Sequence, residues 1–265
     1  VLILLSWSVC LPQAGAQYEA LDQWPLLRPS PVCNLAQIKD ILNRAEADQG
    51  RLLSKQQLVE RLLVAVPGGK DDPVMGENFL VMTKIGMLAY PRSFLCLLLQ
   101  KNCHVFVAPF VVVADKSLVG QRPEGYPAGS TYLNCRAVFT TKGILIGSHF
   151  YKDGRLLPNL DPLHGVQHEM AHAIDQLLGR PSLTPQFDRV YRQDEASVAV
   201  EDRGPLYYYL QTGRVGRIET FGQLLAHKYC HFTEHHTLSL VRCFPDCVRF
   251  IDHTFPPDQP ASGNE

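Results

Sequence analysis

The sequence predicts an α+β chain: N-terminal helices, a small mixed sheet, and a helical C-terminal part that opens on a helix with two histidines. Residues 34–66 hold two stretches of helical period, residues 104–147 are rich in β-branched side chains, and the chain from 163 onward reads as mainly helical. At 265 residues the chain can bury a substantial core. Its 25 basic and 26 acidic side chains nearly cancel, with no basic arm or run, so nucleic acid is disfavoured as a partner.

Each element has its own warrant. The opening run VLILLSWSVCLPQAGAQ is uncharged and apolar, and Ala14-Gly15-Ala16 has the small-x-small form of a signal-peptidase site. Residues 1–16 are expected to be a signal peptide and the mature chain to be secreted. The run is too short to span a bilayer, so no stable membrane association is expected after its removal. A Pro-containing lead-in covers residues 17–33. Asn34 is placed to cap a helix that buries Leu35, Ile38, Ile41, Leu42 and Ala45 and ends near Gly50. Ser54 with Gln57 forms a capping box for a second helix burying Leu58, Leu62 and Val66, stopped by Pro67-Gly68-Gly69. Helices follow from about Asn78 to Ala89 and from Pro91 to about Gln100. The apolar region 94–114 is interrupted by polar residues, which suits a helix-to-strand junction. HVFVAPFVVVAD (104–115) reads as one buried strand with Pro109 as an irregularity. Residues 116–131 form a Gly/Pro-rich loop. RAVFTTKGILIG (136–147) reads as a hairpin around Thr141-Lys142-Gly143, and KDGRLLPNLDP as a loop. The histidine helix is expected from Leu163 to Gly179, and a further one from about Glu219 to Tyr229. The tail PPDQPASGNE is polar and expected to be disordered. No internal repeat is present.

The chemistry centres on GVQHEMAHAIDQ, residues 165–176. Positions four apart share a helix face, so His168 and His172 can both present imidazole nitrogens to one Zn²⁺. Glu169 lies beside them, placed to take a proton from water as general base. Ala171 permits close packing, Met170 can face a core, and Asp175 is placed to accept a hydrogen bond from a ligand histidine. A metzincin continuation is excluded, because its Gly and third ligand positions hold Asp175 and Leu178. A downstream carboxylate remains, either Glu195 or Glu219. Glu219 is favoured because Phe221, Leu224, Leu225 and Tyr229 give its helix an apolar face with which to pack. His227, His231 and His235 recur every four residues and are read as a polar helix face rather than a second metal site. No GxSxG elbow or CxxC pair is present. Loss of Cys10 with the signal leaves seven cysteines, some of which should form disulfides in an exported chain.

HEMAHAID, followed 47 residues after His172 by ETFGQLLAHKY, resembles the catalytic domain of anthrax toxin lethal factor and the related secreted Pro-Pro endopeptidases. Those proteins carry HExxH-x-x-D and a later E-x-F-A-E helix whose first Glu is the third zinc ligand. The resemblance spans residues 80–250 in order of elements; its specific part is 163–178 and 210–229. It implies a zincin-like metallopeptidase domain over 76–255, preceded by a helical segment over 17–75 and followed by the tail 256–265. It further implies one Zn²⁺ on His168, His172 and Glu219, Glu169 as general base, and a protein or peptide substrate lying along an edge strand. Ile144-Leu145-Ile146 is the candidate strand.

This chain departs from the family at two positions. Gln223 replaces the family's second Glu, which puts a supporting hydrogen bond in question. Thr212 stands seven residues before Glu219, where the family has a Tyr whose hydroxyl supports the oxyanion. Tyr207, Tyr208 or Tyr209 is then needed as donor, with Tyr209 the nearest in sequence. The expected function is a secreted zinc endopeptidase. The alternative is a zinc-bearing but catalytically weak module that binds a partner protein.

Overall fold

The computed structural model describes Leu27 and residues 35–49 and 53–255. The predicted signal peptide, the Asn34 cap and the tail 256–265 lie outside these residues.

Helix α1 (Leu35–Gln49) buries Ile38, Leu42 and Ala45, spaced four and three apart, and packs on α4 (Arg92–Gln100). Helix α2 (Lys55–Leu62) begins at the expected capping box, with Ser54 Oγ accepting from Gln57 N–H at 3.2 Å and Gln57 Oε1 accepting from Ser54 N–H at 2.7 Å. It ends earlier than predicted. Leu63–Ala65 leave the helix as strand β1 because their backbone pairs in parallel with β2 (Val105–Ala108), and Val66 N–H continues the pattern to Val107 O. Helix α3 (Glu77–Leu88) precedes α4, and the Pro91 break bends the pair by 108°. Among the described residues no single helix is long and apolar enough to cross a membrane.

Strand β2 is fully buried but stops at Ala108, and Val111–Ala114 form one helical turn, α5. The long strand expected over 104–115 is thus corrected: Pro109 lacks the N–H that a continuing ladder would need. The hairpin is present, as β3 (Ala137–Thr140) antiparallel to β4 (Gly143–Gly147). The sheet order is β1-β2-β4-β3, with β2 and β4 parallel. Ile144, Leu145 and Ile146 therefore lie in the sheet interior, fully buried between β2 and β3, and cannot be a substrate edge. The edge on that side is β3. The loop expected after 151 is a second hairpin, β5 (His149–Lys152) and β6 (Arg155–Pro158). Asp153 (φ 51°) and Gly154 (φ 72°) are both left-handed, the pair that a tight two-residue turn requires.

Helix α6 (Pro162–Leu177) carries the histidines, with the Asp161 side chain capping His164 N–H and Pro162 in the first turn. It packs against α3, β3, β4 and α9 (Val215–Cys230). Gly86 lets α3 approach, since a Cβ there would stand 2.5 Å from Val166 Cγ1. Between α6 and α9 lie α7 (Pro185–Ser197) and α8 (Val200–Arg203); α10 (His235–Cys243) and α11 (Pro245–Thr254) complete the chain. Met170, Ala171, Phe221 and Leu225 are fully buried in the main hydrophobic core. All six described cysteines are free thiols, so the expected pairing is not found among them; Cys33 lies outside the described residues.

Candidate metal centre

Helix α6 places His168 and His172 on one face, and α9 lays Glu219 against both. The two Nε2 atoms are 2.9 Å apart, and Glu219 Oε2 lies 3.2 Å from His168 Nε2 and 3.4 Å from His172 Nε2. One ligand atom from each of the three falls within 4.8 Å of the others, a group that could hold a metal ion. Glu219 sits in the second turn of α9 rather than at its start, since the helix begins at Val215. Its carboxylate is therefore held by packing, away from the helix N-terminus. Gly222, one turn further on, permits the approach: a Cβ there would stand 2.6 Å from His172 Cε1.

Electrostatics bind the three together. Burial would raise the Glu219 pKa, but His172 and His168 overcome it and hold the carboxyl well below its ordinary range. Burial likewise opposes charge on His172, yet Glu219 lifts that ring to about 9. Glu169 responds differently. Burial raises its pKa against the pull of His168 and His172, and the nearby Phe139 backbone on β3 also opposes the rise.

Gln223 sets the His168 tautomer. Its Nε2 donates to Thr237 Oγ1 at 2.7 Å, which leaves Oε1 to accept from His168 Nδ1 at 2.8 Å. The His168 proton is thereby kept on Nδ1, and Nε2 turns its lone pair to His172 and Glu219. The substitution that put this contact in question in the sequence supplies it through an amide oxygen.

A cavity of about 330 Å³ opens over these groups, lined among others by Phe139, Glu169, Arg180 and Tyr208. Tyr208 lies close to Glu219, and burial followed by the charge of Glu219 raises the pKa of its hydroxyl and keeps it protonated. Tyr126, from the 116–131 loop, also lines the cavity, and burial likewise raises its pKa; no sequence signal singled it out.

Several candidates stand elsewhere. Thr212 is exposed and outside the cavity lining. Tyr209 is buried and is not among the cavity-lining residues, whereas Tyr208 is. Asp175 spends both carboxylate oxygens on Ser182, accepting from its N–H at 2.9 Å and its hydroxyl at 2.6 Å, not on a histidine. Glu195 makes a surface ion pair with Arg192. His227 lies within α9, His231 ends it with φ 53°, and His235 begins α10, so the four-residue recurrence crosses a helix break.

No protein-family profile matches the chain, and no curated protein matches it in sequence. Its fold is similar to that of a solved Pro-Pro endopeptidase from Paenibacillus alvei, with a TM-score of 0.54 and 18% identity, over 75% of this chain and 100% of that one. The likeness is to the Pro-Pro endopeptidase branch of the sequence resemblance, and it concerns the fold.

Proposed function

We infer that the chain is a zinc-dependent endopeptidase. The convergence of His168, His172 and Glu219, with the His168 tautomer fixed by Gln223, carries the reading. Tetrahedral zinc with bonds of about 2.0–2.1 Å sets its ligand atoms about 3.3–3.4 Å apart. The observed separations of 2.9, 3.2 and 3.4 Å suit that ion, and two imidazoles plus a carboxylate suit its chemistry. Zinc in such a tripod supplies Lewis-acid chemistry, lowering the pKa of water toward about 7 and polarising a carbonyl.

The chain's own groups do the rest. A peptide extended along β3 is held through main-chain hydrogen bonds in the cavity that Ala137, Val138 and Phe139 help to line. Glu169 takes the proton of the attacking water and delivers it to the leaving amine; its raised pKa suits both transfers. Tyr208, kept protonated, donates toward the substrate carbonyl as negative charge develops there. Substrates containing Pro-Pro are the first to test, from the similarity to a Pro-Pro endopeptidase.

The experiment is metal analysis of the purified chain, followed by cleavage of Pro-Pro peptides with Glu169→Gln as control. One zinc per chain and cleavage lost in the variant are expected. Zinc without cleavage in either protein would move the chain to the partner-binding class.

A further inference from the structure

Arg180 lines the same cavity, on a turn whose construction the tripod does not explain. Gly179 (φ 77°) and Arg180 (φ 62°) are successive left-handed residues, a conformation unfavourable for a side chain with a Cβ. The turn is nonetheless tightly held. Arg180 N–H donates to Asp175 O at 2.7 Å, Leu183 N–H donates to Arg180 O at 2.8 Å, and the buried Asp175 carboxylate grips Ser182 through both oxygens. Asp175 is thus a positioning residue for the 180–183 turn.

The charges of the cavity are unequally paired. The other lining guanidinium, Arg214, is held at its Nε and Nη2 by both oxygens of Glu124 at 3.1–3.2 Å. Arg180 donates from Nη2 to the neutral Gln176 Oε1 at 2.5 Å, and its Nη1 stands 3.9 Å from Asp175 Oδ2, beyond hydrogen-bond reach. Its side chain is 34% exposed. Among the described residues, a rigid fork of donors therefore faces the cleft with one neutral hydrogen-bond partner and only a long ion pair to Asp175.

We propose that Arg180 is a specificity determinant that binds a carboxylate of the peptide, either an Asp or Glu side chain or a free C-terminus. This rests on the peptidase reading. A purely structural Arg180 would only close the end of α6 through Gln176, and its loss would alter stability without altering which peptide is preferred.

The test uses the full zinc-loaded chain and matched peptides carrying Glu, Gln or Lys on either side of the scissile bond, each as free acid and as C-terminal amide. Wild type is expected to favour one carboxylate-bearing series by about tenfold to a hundredfold in kcat/KM, the range of a charge-assisted hydrogen bond. Loss of the preference on amidation identifies the chain end as the ligand; persistence identifies the side chain. Arg180→Gln should bring the acid-to-neutral ratio near one, and Arg180→Glu should turn it toward Lys peptides. Arg180→Asn, better tolerated at left-handed φ, replaces Arg180→Gln if that variant misfolds. A wild-type ratio near one, or a ratio unmoved by these substitutions, overturns the proposal. If no peptide is cleaved, equilibrium binding of the same peptides to Glu169→Gln protein decides it. Acid-selective binding that vanishes with Arg180 upholds the carboxylate site while the peptidase reading falls, and equal binding removes both.

Discussion

Two histidine–carboxylate clusters stand one turn apart on α6. In one, His168 and His172 meet Glu219 from α9. In the other, His164 Nδ1 lies 3.4 Å from Glu234 Oε1 and 3.7 Å from Asp161 Oδ2, with His236 stacked on the ring at 5.9 Å. By residue type and spacing either could hold a cation. Gln223 separates them, because it touches both: its oxygen accepts from His168 Nδ1, and its amide nitrogen lies 3.4 Å from His164 Nε2. One side-chain amide so gives both rings the same tautomer, protonated at Nδ1, and what differs is the nitrogen that each turns to its carboxylate. His168 is left with a bare Nε2 toward its carboxylate, and His164 with a protonated Nδ1 toward its own. Burial lowers the His164 pKa, which favours the neutral ring. The first arrangement offers a lone pair and the second a hydrogen-bond donor, although the residues are of the same kind.

The contrast can be broken most severely at the carboxylates. Glu219→Ala should release zinc and reduce peptide cleavage to background, whereas Glu234→Ala should keep one zinc per chain. Metal content by mass spectrometry reads both, and equal loss from the two variants would falsify the assignment of the ion to the His168 cluster. Tyr208→Phe comes next, with kcat expected to fall about 10²–10³-fold at nearly constant KM; Tyr209→Phe, whose hydroxyl does not line the cavity, should fall far less. Gln223→Leu should weaken zinc binding about 10–100-fold through the freed His168 ring, measured by competition with a chelator. An unchanged affinity would mean that the amide orients nothing. Smallest is His164→Gln, expected to shift stability by about 1 kcal/mol or less in thermal unfolding and zinc affinity by less than about threefold. A large loss of zinc there would show that the second cluster is coupled to the first.

Local signals were legible in the sequence wherever the cause was local. The Ser54–Gln57 box, the Pro91 break and the β3–β4 hairpin follow from capping and turn chemistry and appear where expected. The spacing of His168 and His172 likewise fixed their shared face. Features decided by distant partners were not legible. Leu63–Ala65 look like the end of a helix until β2 offers them a ladder, and the apolar run through 114 looks like one strand until Pro109 interrupts it. Ile144–Ile146 and β3 are both β-prone, and only the order of pairing decides which is the edge. Asp175 sits at a spacing that suits a ligand histidine, yet the turn after α6 brings Ser182 to it first. Tyr208 and Tyr209 are adjacent, and only the path of the chain into α9 determines which of them meets Glu219. The Asp153-Gly154 turn was the local signal that reading as a loop overlooked.

Under the proposed endopeptidase reading, the antiparallel rim formed by β3 would limit what can be digested. Its four residues offer a straight template about 13 Å long. A target would then have to present a comparable unfurled length, which a coiled helix or a tightly knotted domain cannot do without melting first. Linkers, stalks and tails between compact modules would be severed, and the modules themselves left whole.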